Sequence, residues 1–400
     1  MKIIAEKIVF GGNSIGKIDG KTVFIPYAIP GEELDVNIKE SKRDYDIAEI
    51  NEILKPSPYR VTPQCKYYGK CGGCNLLHVK SDYQVEIRKQ ILCDIFEQNG
   101  IKIGNKIDVI SGPDFNYRAR FQLNDGGLSE RHSNVIVPIS ACLCAEESIN
   151  QYFNETPFEE RKNGRIHIFG SKFMTDSQKI RVSKEKTVQK SIQPSKNSKK
   201  LKIKENHYFA GTAASPENSV TVNLGGKNLS FDVRGFFQSN LFVFEKVLKF
   251  ISGNLPHCEN VLDMYSGCGS ISAFIADKAE NVVLVEHNRD ALVFAEQNLQ
   301  GKKHISYGVS GENWVKNYSA TCPHFDACVV DPPRSGMEKA VRQYLCESDI
   351  PLIFSMSCDP ATNARDCADL IKSGYSLEKI YLLDFYPNTS HIESLAIFVK

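Results

Sequence analysis

The sequence predicts a multidomain α+β protein: a small all-β module, a β-rich middle domain and a Rossmann-like α/β domain. Residues 1–58 carry short alternating runs (IAEKIVFGG, GKIDGKTVFIPYA, GEELDVNIKES, YDIAEINEIL) broken by Gly, Asp and Pro turn signals. Residues 101–235 hold extended apolar stretches such as RIHIFG, SVTVNL and LSFDVR. After 235 the period changes, and strand-like runs alternate with helical ones, which argues a parallel, doubly wound sheet.

Three units follow: 1–58, 59–234 and 235–400. The first suits a five-stranded OB-like barrel, a fold often used on oligonucleotides, although its charge is slightly acidic. Proline-rich KPSPYRVTP (55–63) reads as the linker that ends it. In 80–99, Val85, Ile91, Leu92, Ile95 and Phe96 fall near one helical face, and Asn99-Gly100 supplies the stop. Cys93 inside that helix reads as a packed thiol. In the last unit SNLFVFEKVLKFISGN is helical. Strand NVLDMYS, helix ISAFIADKA, strand NVVLVE, helix RDALVFAEQNLQ and strands FDACVVDPPR and PLIFSMS follow, then two β-runs, SLEKIYLLDFYP and ESLAIFVK. Ligands in such sheets bind beyond the carboxyl ends of the strands. Asp331 and Cys358 lie at such ends.

With 42% hydrophobic and 24% charged residues the chain has globular composition. No apolar run approaches the roughly 20 residues of a membrane span. The start, MKIIAEKIVFGG, is too short and too charged for a secretory signal. The expectation is a soluble cytoplasmic protein, with no membrane partner. Its 13 cysteines are then metal ligands, nucleophiles or core fillers rather than disulfides. Net charge is +1, but residues 151–235 carry 16 Lys/Arg against 8 Asp/Glu, and 186–206 alone holds seven lysines. Such a run can follow phosphates, or it can be a solvated loop.

Four motifs carry chemistry. In LDMYSGCGSIS (262–272), between strand and helix, Gly267 and Gly269 permit a tight turn with close approach to a ligand. Glu286 ends the next strand, where a carboxylate can bind ribose hydroxyls; the third glycine of a dinucleotide fingerprint is replaced by Ser272. In VVDPPRSG (329–336) the two prolines make a rigid shelf beside Asp331. In SMSCDPATNARD (355–366), Cys358 sits just past a strand rather than inside it. A thiolate there can add to C6 of a pyrimidine and make C5 nucleophilic; a base must later remove the C5 proton, and Glu393 is the candidate. Arg365 or the following helix N-terminus would favour the thiolate. The bland alternative for each is a structural turn or an inert half-buried thiol.

The fourth motif is CKYYGKCGGC, with Cys65, Cys71 and Cys74 inside ten residues; VPISACLCAEESIN offers Cys142 or Cys144 as a further thiol. A structural zinc site usually has two separated C-x-x-C pairs, and only one is present. A [4Fe-4S] cluster tolerates the compressed triplet.

FFQSN (236–240), DMYSGCGS, VVLVE, DPPR, SCDPATNARD and FYPNTSHIE occur in the order found in RNA (uracil-5-)methyltransferases, and the chain resembles that family over essentially its whole length. The resemblance implies S-adenosyl-L-methionine (SAM) bound by Gln238, Tyr265, Glu286 and Asp331, Cys358 as nucleophile and Glu393 as base. It also implies a [4Fe-4S] cluster on Cys65, Cys71, Cys74 and Cys142. GGNSIGKIDGKTVFIPYAIPGE resembles the TRAM domain, an OB-like RNA-binding unit. TRAM module, cluster and catalytic domain together resemble most the enzymes acting on 23S rRNA, with tRNA the alternative substrate and a monomer expected. The rival from another class is an RNA-binding protein that keeps the fold without catalysis. In YRARFQ (117–122), Arg118 and Arg120 interleave with aromatic rings, which suits splayed-out bases. Phe236 could fill the space left by a flipped uridine. His78 and His391 flank motifs and read first as hydrogen-bonding neighbours.

Overall fold

The computed structural model describes residues 1–104, 107–175, 208–212, 214–215 and 218–400. The lysine-rich run 186–206 lies outside the described residues.

The N-terminal unit holds β1 (Lys2–Ile4), β2 (Lys7–Ile8), β3 (Asn13–Ile18), β4 (Lys21–Pro26), β5 (Glu33–Ser41) and β6 (Tyr45–Lys55). The sheet order is β1-β5-β6-β4-β3-β2. Residues 2–8 pair at both ends of that order, Lys2–Ile4 with β5 and Lys7–Ile8 with β3, which closes the sheet into a barrel. There are six strands, not the expected five, because the first run breaks at Ala5-Glu6 to change partners. Ile3, Val23, Ile25, Leu34 and Val36 fill the interior at alternate positions.

Next come α1 (Ser81–Gln98), β7 (Asp108–Ile110), β8 (Arg120–Asn124), β9 (Leu128–Ser129), β10 (Ile136–Val137), α2 (Glu147–Glu155), β11 (Arg165–Gly170) and β12 (Tyr208–Thr212), then the hairpin β13 (Ser219–Leu224) with β14 (Lys227–Asp232). A three-stranded sheet, β12-β11-β8, packs against α2 around Phe121, Leu123, Ile149, Phe153 and Ile168.

The last unit runs α3 (Leu241–Asn254), β15 (Cys258–Met264), α4 (Ser270–Ile275), β16 (Ala279–Val285), α5 (Arg289–Asn298), β17 (His304–Tyr307), α6 (Gly311–Asn317), β18 (Ala327–Val330), α7 (Lys339–Glu347), β19 (Leu352–Ser357), α8 (Pro360–Lys372), β20 (Ser376–Leu383) and β21 (Glu393–Val399). Its eight-stranded sheet has the order β17-β16-β15-β18-β19-β21-β20-β7. The first five strands are parallel, as expected, while β21 runs antiparallel to both neighbours. Successive residues face opposite sides: Val282 and Leu284 meet α3, α4 and α5, whereas Val283 and Val285 meet α1, α6, α7 and α8. Both faces are covered, so the strands read as continuous apolar runs.

The expected boundary of the middle domain does not hold for three of its elements. Helix α1 buries Ile87, Ile91, Leu92 and Phe96 in the same core as α8. Strand β7 adds to the open edge of β20, and the β13–β14 hairpin buries Val220, Val222 and Phe231 against the α3 side. The cause is the apolar faces themselves, which find their cover on the C-terminal sheet. Among the described residues no helix is long and apolar enough to cross a membrane.

Arg88 on α1 secures this docking, pairing with Asp384 at 2.8 Å while both are buried. It also donates to the Tyr386 carbonyl at 3.2 Å. Removing one partner of a buried pair typically costs about 3–5 kcal/mol. Arg88→Ala is therefore expected to lower the unfolding free energy by about 3–5 kcal/mol, read as a fall in the urea midpoint at unchanged slope by circular dichroism.

Candidate active site

The loops that leave β15, β16, β18 and β19 at their carboxyl ends surround a cavity of about 1150 Å3. Gln238, Tyr265, Glu286, Asp331, Cys358 and Glu393 all line it.

One wall is built by the glycine turn. Tyr265 and Gly267 both have positive φ (+64° and +55°), which turns the chain sharply off β15. Gly269, at φ +71°, leads into α4, and a Cβ there would lie 3.0 Å from Ala295 and Leu299. Glu286 is pinned by backbone donors, Gly267 N at 3.0 Å and Asn288 N at 2.7 Å. The Tyr265 hydroxyl accepts from Glu338 N at 3.1 Å. The side-chain oxygen of Gln238 is buried without a partner among the described residues. A cradle with an orphaned amide oxygen and a fixed carboxylate suits a nucleoside carrying an amino-acid tail.

The reactive corner lies opposite. Ser357 on β19 is the register partner of Ser394 on β21. Cys358 follows Ser357 and Glu393 precedes Ser394, and the two are close enough for the Glu393 charge to act on the thiol. Asp359 caps α8, accepting from Ala361 N at 3.1 Å and Thr362 N at 2.9 Å, with Pro360 in the first turn. This fixes the loop that carries Cys358, as the Asp-Pro pair implied. Glu393 is followed by Ser394, whose hydroxyl takes a bond from Asn363 Nδ2 at 2.7 Å.

The electrostatics differ from the expectation for Cys358. Its thiol is pushed up to about 11, by burial first and then by the charges of Glu393 and Asp331. Arg365 does not offset this, since its guanidinium pairs with Asp366 at 2.7 Å. Arg334 is the neighbouring cation that pulls the thiol down. Glu393 is raised to about 8 by burial and by Asp331, against the pull of Arg334. Burial holds Asp331 at about 6.

The cysteine loop sits apart from this cavity. Cys74 Sγ lies 3.7 Å from Cys144 Sγ, Cys142 hydrogen-bonds Cys144, and Cys71 feels both Cys65 and Cys142. These pairwise contacts link five thiols, including both candidates for the fourth position. Among the described residues, no group of three or more His, Cys, Asp or Glu stands in metal-holding geometry.

Comparison with known proteins decides the family. A profile described as tRNA (Uracil-5-)-methyltransferase matches residues 313–400, the TRAM domain matches 3–50, and the methyltransferase small domain matches 246–348. An RNA methyltransferase of Treponema denticola is 37% identical over 99% of this chain and 98% of its own. The chain belongs to the RNA (uracil-5-)methyltransferase family. A relative from Haemophilus parainfluenzae, 23S rRNA (uracil(1939)-C(5))-methyltransferase RlmD, is 28% identical over 100% of this chain and 97% of its own. The structure of the Pyrococcus abyssi tRNA (uracil-54, C5)-methyltransferase with S-adenosyl-L-homocysteine shares the fold, at TM-score 0.72, 22% identity and full coverage of both chains.

Within this methyltransferase some residues emerge that sequence reasoning missed or misplaced. Arg334 has no role assigned from the sequence, yet it is the cation acting on both Cys358 and Glu393. Its place beside Asp331 in DPPR was the available signal. Arg118 and His391 also line the cavity. Arg120 does not join Arg118 there: it is half-buried and donates to the Val233 carbonyl at 3.2 Å. Phe236 is 72% exposed at the rim. Alkylation of Cys358 by iodoacetamide, followed by peptide mass spectrometry, is expected to quicken as pH rises toward about 11. Glu393→Gln removes a negative charge that raises the thiol, so its profile moves to lower pH; an unmoved profile would show that the two groups do not sense each other.

Proposed function

We propose that this protein methylates C5 of a uridine in 23S rRNA, with SAM as methyl donor, Cys358 as nucleophile and Glu393 as base. The observation that carries the reading is that a thiol and a buried carboxylate, flanking the Ser357–Ser394 pair, line the same cavity as the glycine turn and Glu286. Gln238, Tyr265, Glu286 and Asp331 are assigned to the donor, which when bound supplies an electrophilic methyl group.

C5 of uracil is a poor nucleophile. The Cys358 sulfur adds to C6, and the resulting enolate makes C5 electron-rich enough to take the methyl group. Glu393 then accepts the C5 proton; the C5–H electrons reform the C5=C6 double bond, and the C6–S bond breaks to return the thiolate. Arg334, between the two groups electrostatically, favours both ionised forms. A base in a duplex cannot reach this corner, so the uridine must be extruded, and exposed Phe236 is assigned to the vacated space. The TRAM barrel is assigned to RNA binding. One chain supplies every one of these groups, which supports action as a monomer.

The donor set of the cysteine loop is all sulfur, which in its chemistry supports a [4Fe-4S] cluster. Cys65, Cys71 and Cys74 would hold it with Cys142, and Cys144 is the alternative. Its task would be structural, fixing a loop-rich region. Iron and sulfide analysis of anaerobically purified protein is expected to find both elements; Cys65→Ser is expected to lose them, and retention would remove the assignment.

Two further results are expected. With a tritiated methyl donor, label enters unmethylated 23S rRNA and the transfer is abolished by Cys358→Ala. Label entering tRNA alone would overturn the substrate, and transfer surviving the substitution would overturn the mechanism. Because the base acts ionised, release of methylated RNA in rapid-quench experiments is expected to quicken as pH climbs through about 8.

A further inference from the structure

The loop Tyr386–Ile392, which delivers Glu393, is tethered at almost every residue. Tyr117 donates its hydroxyl to the Pro387 carbonyl at 2.9 Å. Asn388, at φ +67° and 1% exposed, donates its backbone N–H to Gln84 Oε1 at 2.8 Å and its side-chain amide to the Asp114 carbonyl at 2.8 Å. Its own carbonyl accepts from Asn75 N at 3.2 Å and Leu76 N at 3.0 Å.

One side chain joins this loop to two other units. Asn75 Oδ1 accepts the Ser390 N–H at 2.8 Å, and Asn75 Nδ2 donates to Ser390 Oγ at 2.8 Å. The same Nδ2 donates to the Gly11 carbonyl of the N-terminal barrel at 3.2 Å. Neighbouring Gly12 has φ +85°, and a Cβ there would press on the Asn75 amide and come within 2.8 Å of Ser390. Barrel, cysteine loop and base-bearing loop thus meet at Asn75, which follows Cys74 in the chain and holds Ser390, three residues before Glu393.

The nucleophile has separate anchors. Cys358 is held by the Asp359 cap and by the Ser357 hydroxyl, which donates to the Asp359 carbonyl at 3.0 Å. None of these contacts runs through Asn75. Disturbing Asn75 therefore moves the carboxylate relative to the sulfur without loosening the sulfur itself.

We infer that Asn75 is a positioning residue for Glu393, transmitting the seating of the N-terminal barrel and cysteine loop to the proton-removal step. This inference rests on the proposed assignment of Cys358 and Glu393. It predicts a split between the two halves of the reaction, which a general loss of stability would not produce.

The test is a single-turnover experiment on full-length protein with 23S rRNA and tritiated methyl donor, following methylated RNA both free and as an adduct stable to denaturing gels. Glu393→Gln serves as reference and is expected to retain methyl transfer while accumulating methylated adduct. In Asn75→Ala, methyl transfer is expected to persist while release slows about 10-fold or more, inside the roughly 10²–10⁴ that a positioned base contributes. Asn75→Asp, which keeps the size and the acceptor but loses both donations, is expected to show the same split and carries the test should the alanine variant fold poorly. Transfer and release falling in proportion, or neither falling, in the variant that folds would overturn the inference while leaving the assignment of the base intact. Absence of adduct in Glu393→Gln would overturn the base assignment and this inference together.

Discussion

The antiparallel pairing of β19 with β21 is the constraint on which the site depends. In the five parallel strands, carboxyl ends all point the same way, so side chains gather at one rim from different loops. Adding β21 in the opposite sense brings the start of a strand to that same rim. A residue that ends β19 and a residue that begins β21 become cross-strand neighbours by register alone, as Ser357 and Ser394 already are. Cross-strand neighbours have Cβ atoms about 4.5–5.5 Å apart, and a register slip of one would turn the pair to opposite faces. The packing of both sheet faces by apolar helices fixes that register.

The price of this placement is electrostatic. A thiol and two carboxyls share a poorly solvated corner: burial raises all three, Asp331 raises Glu393 further, and both carboxylates raise the thiol. In the free protein Cys358 and Glu393 therefore lean toward their protonated forms at neutral pH. Under the proposed mechanism that is workable, because each group needs to be ionised at a different moment: the sulfur at attack, the carboxylate at proton removal. Arg334 tempers both, and Arg118 and His391 add positive or ionisable character to the same wall.

Much of this was legible in the sequence. Helix α1 and the alternation of β15, α4, β16 and α5 follow directly from apolar spacing, and the glycine turn, DPPR and the Cys-Asp-Pro segment sit at the strand ends where ligands are expected. What stayed hidden is long-range. Nothing local in Asp108–Ile110 says that it will pair with β20, or that α1 will lie on α8. The reversal of β21 could not be read from its run of apolar residues. Arg365 looked like the thiol's cation because it is near in sequence, yet Asp366 claims it, and Arg334 from another loop takes the role. Asn75 carries no motif signal at all; its importance comes from three loops converging.

The central claim is that a sulfur–carbon bond forms between Cys358 and the pyrimidine ring. A 5-fluorouridine in the target RNA has no C5 proton to lose, so the adduct cannot be released once methylated. Incubating such RNA with the protein and SAM, followed by proteolysis and mass spectrometry, is predicted to find the nucleotide attached to the peptide containing Cys358. A linkage to another residue, or methylated RNA recovered with no covalent complex, would contradict the account.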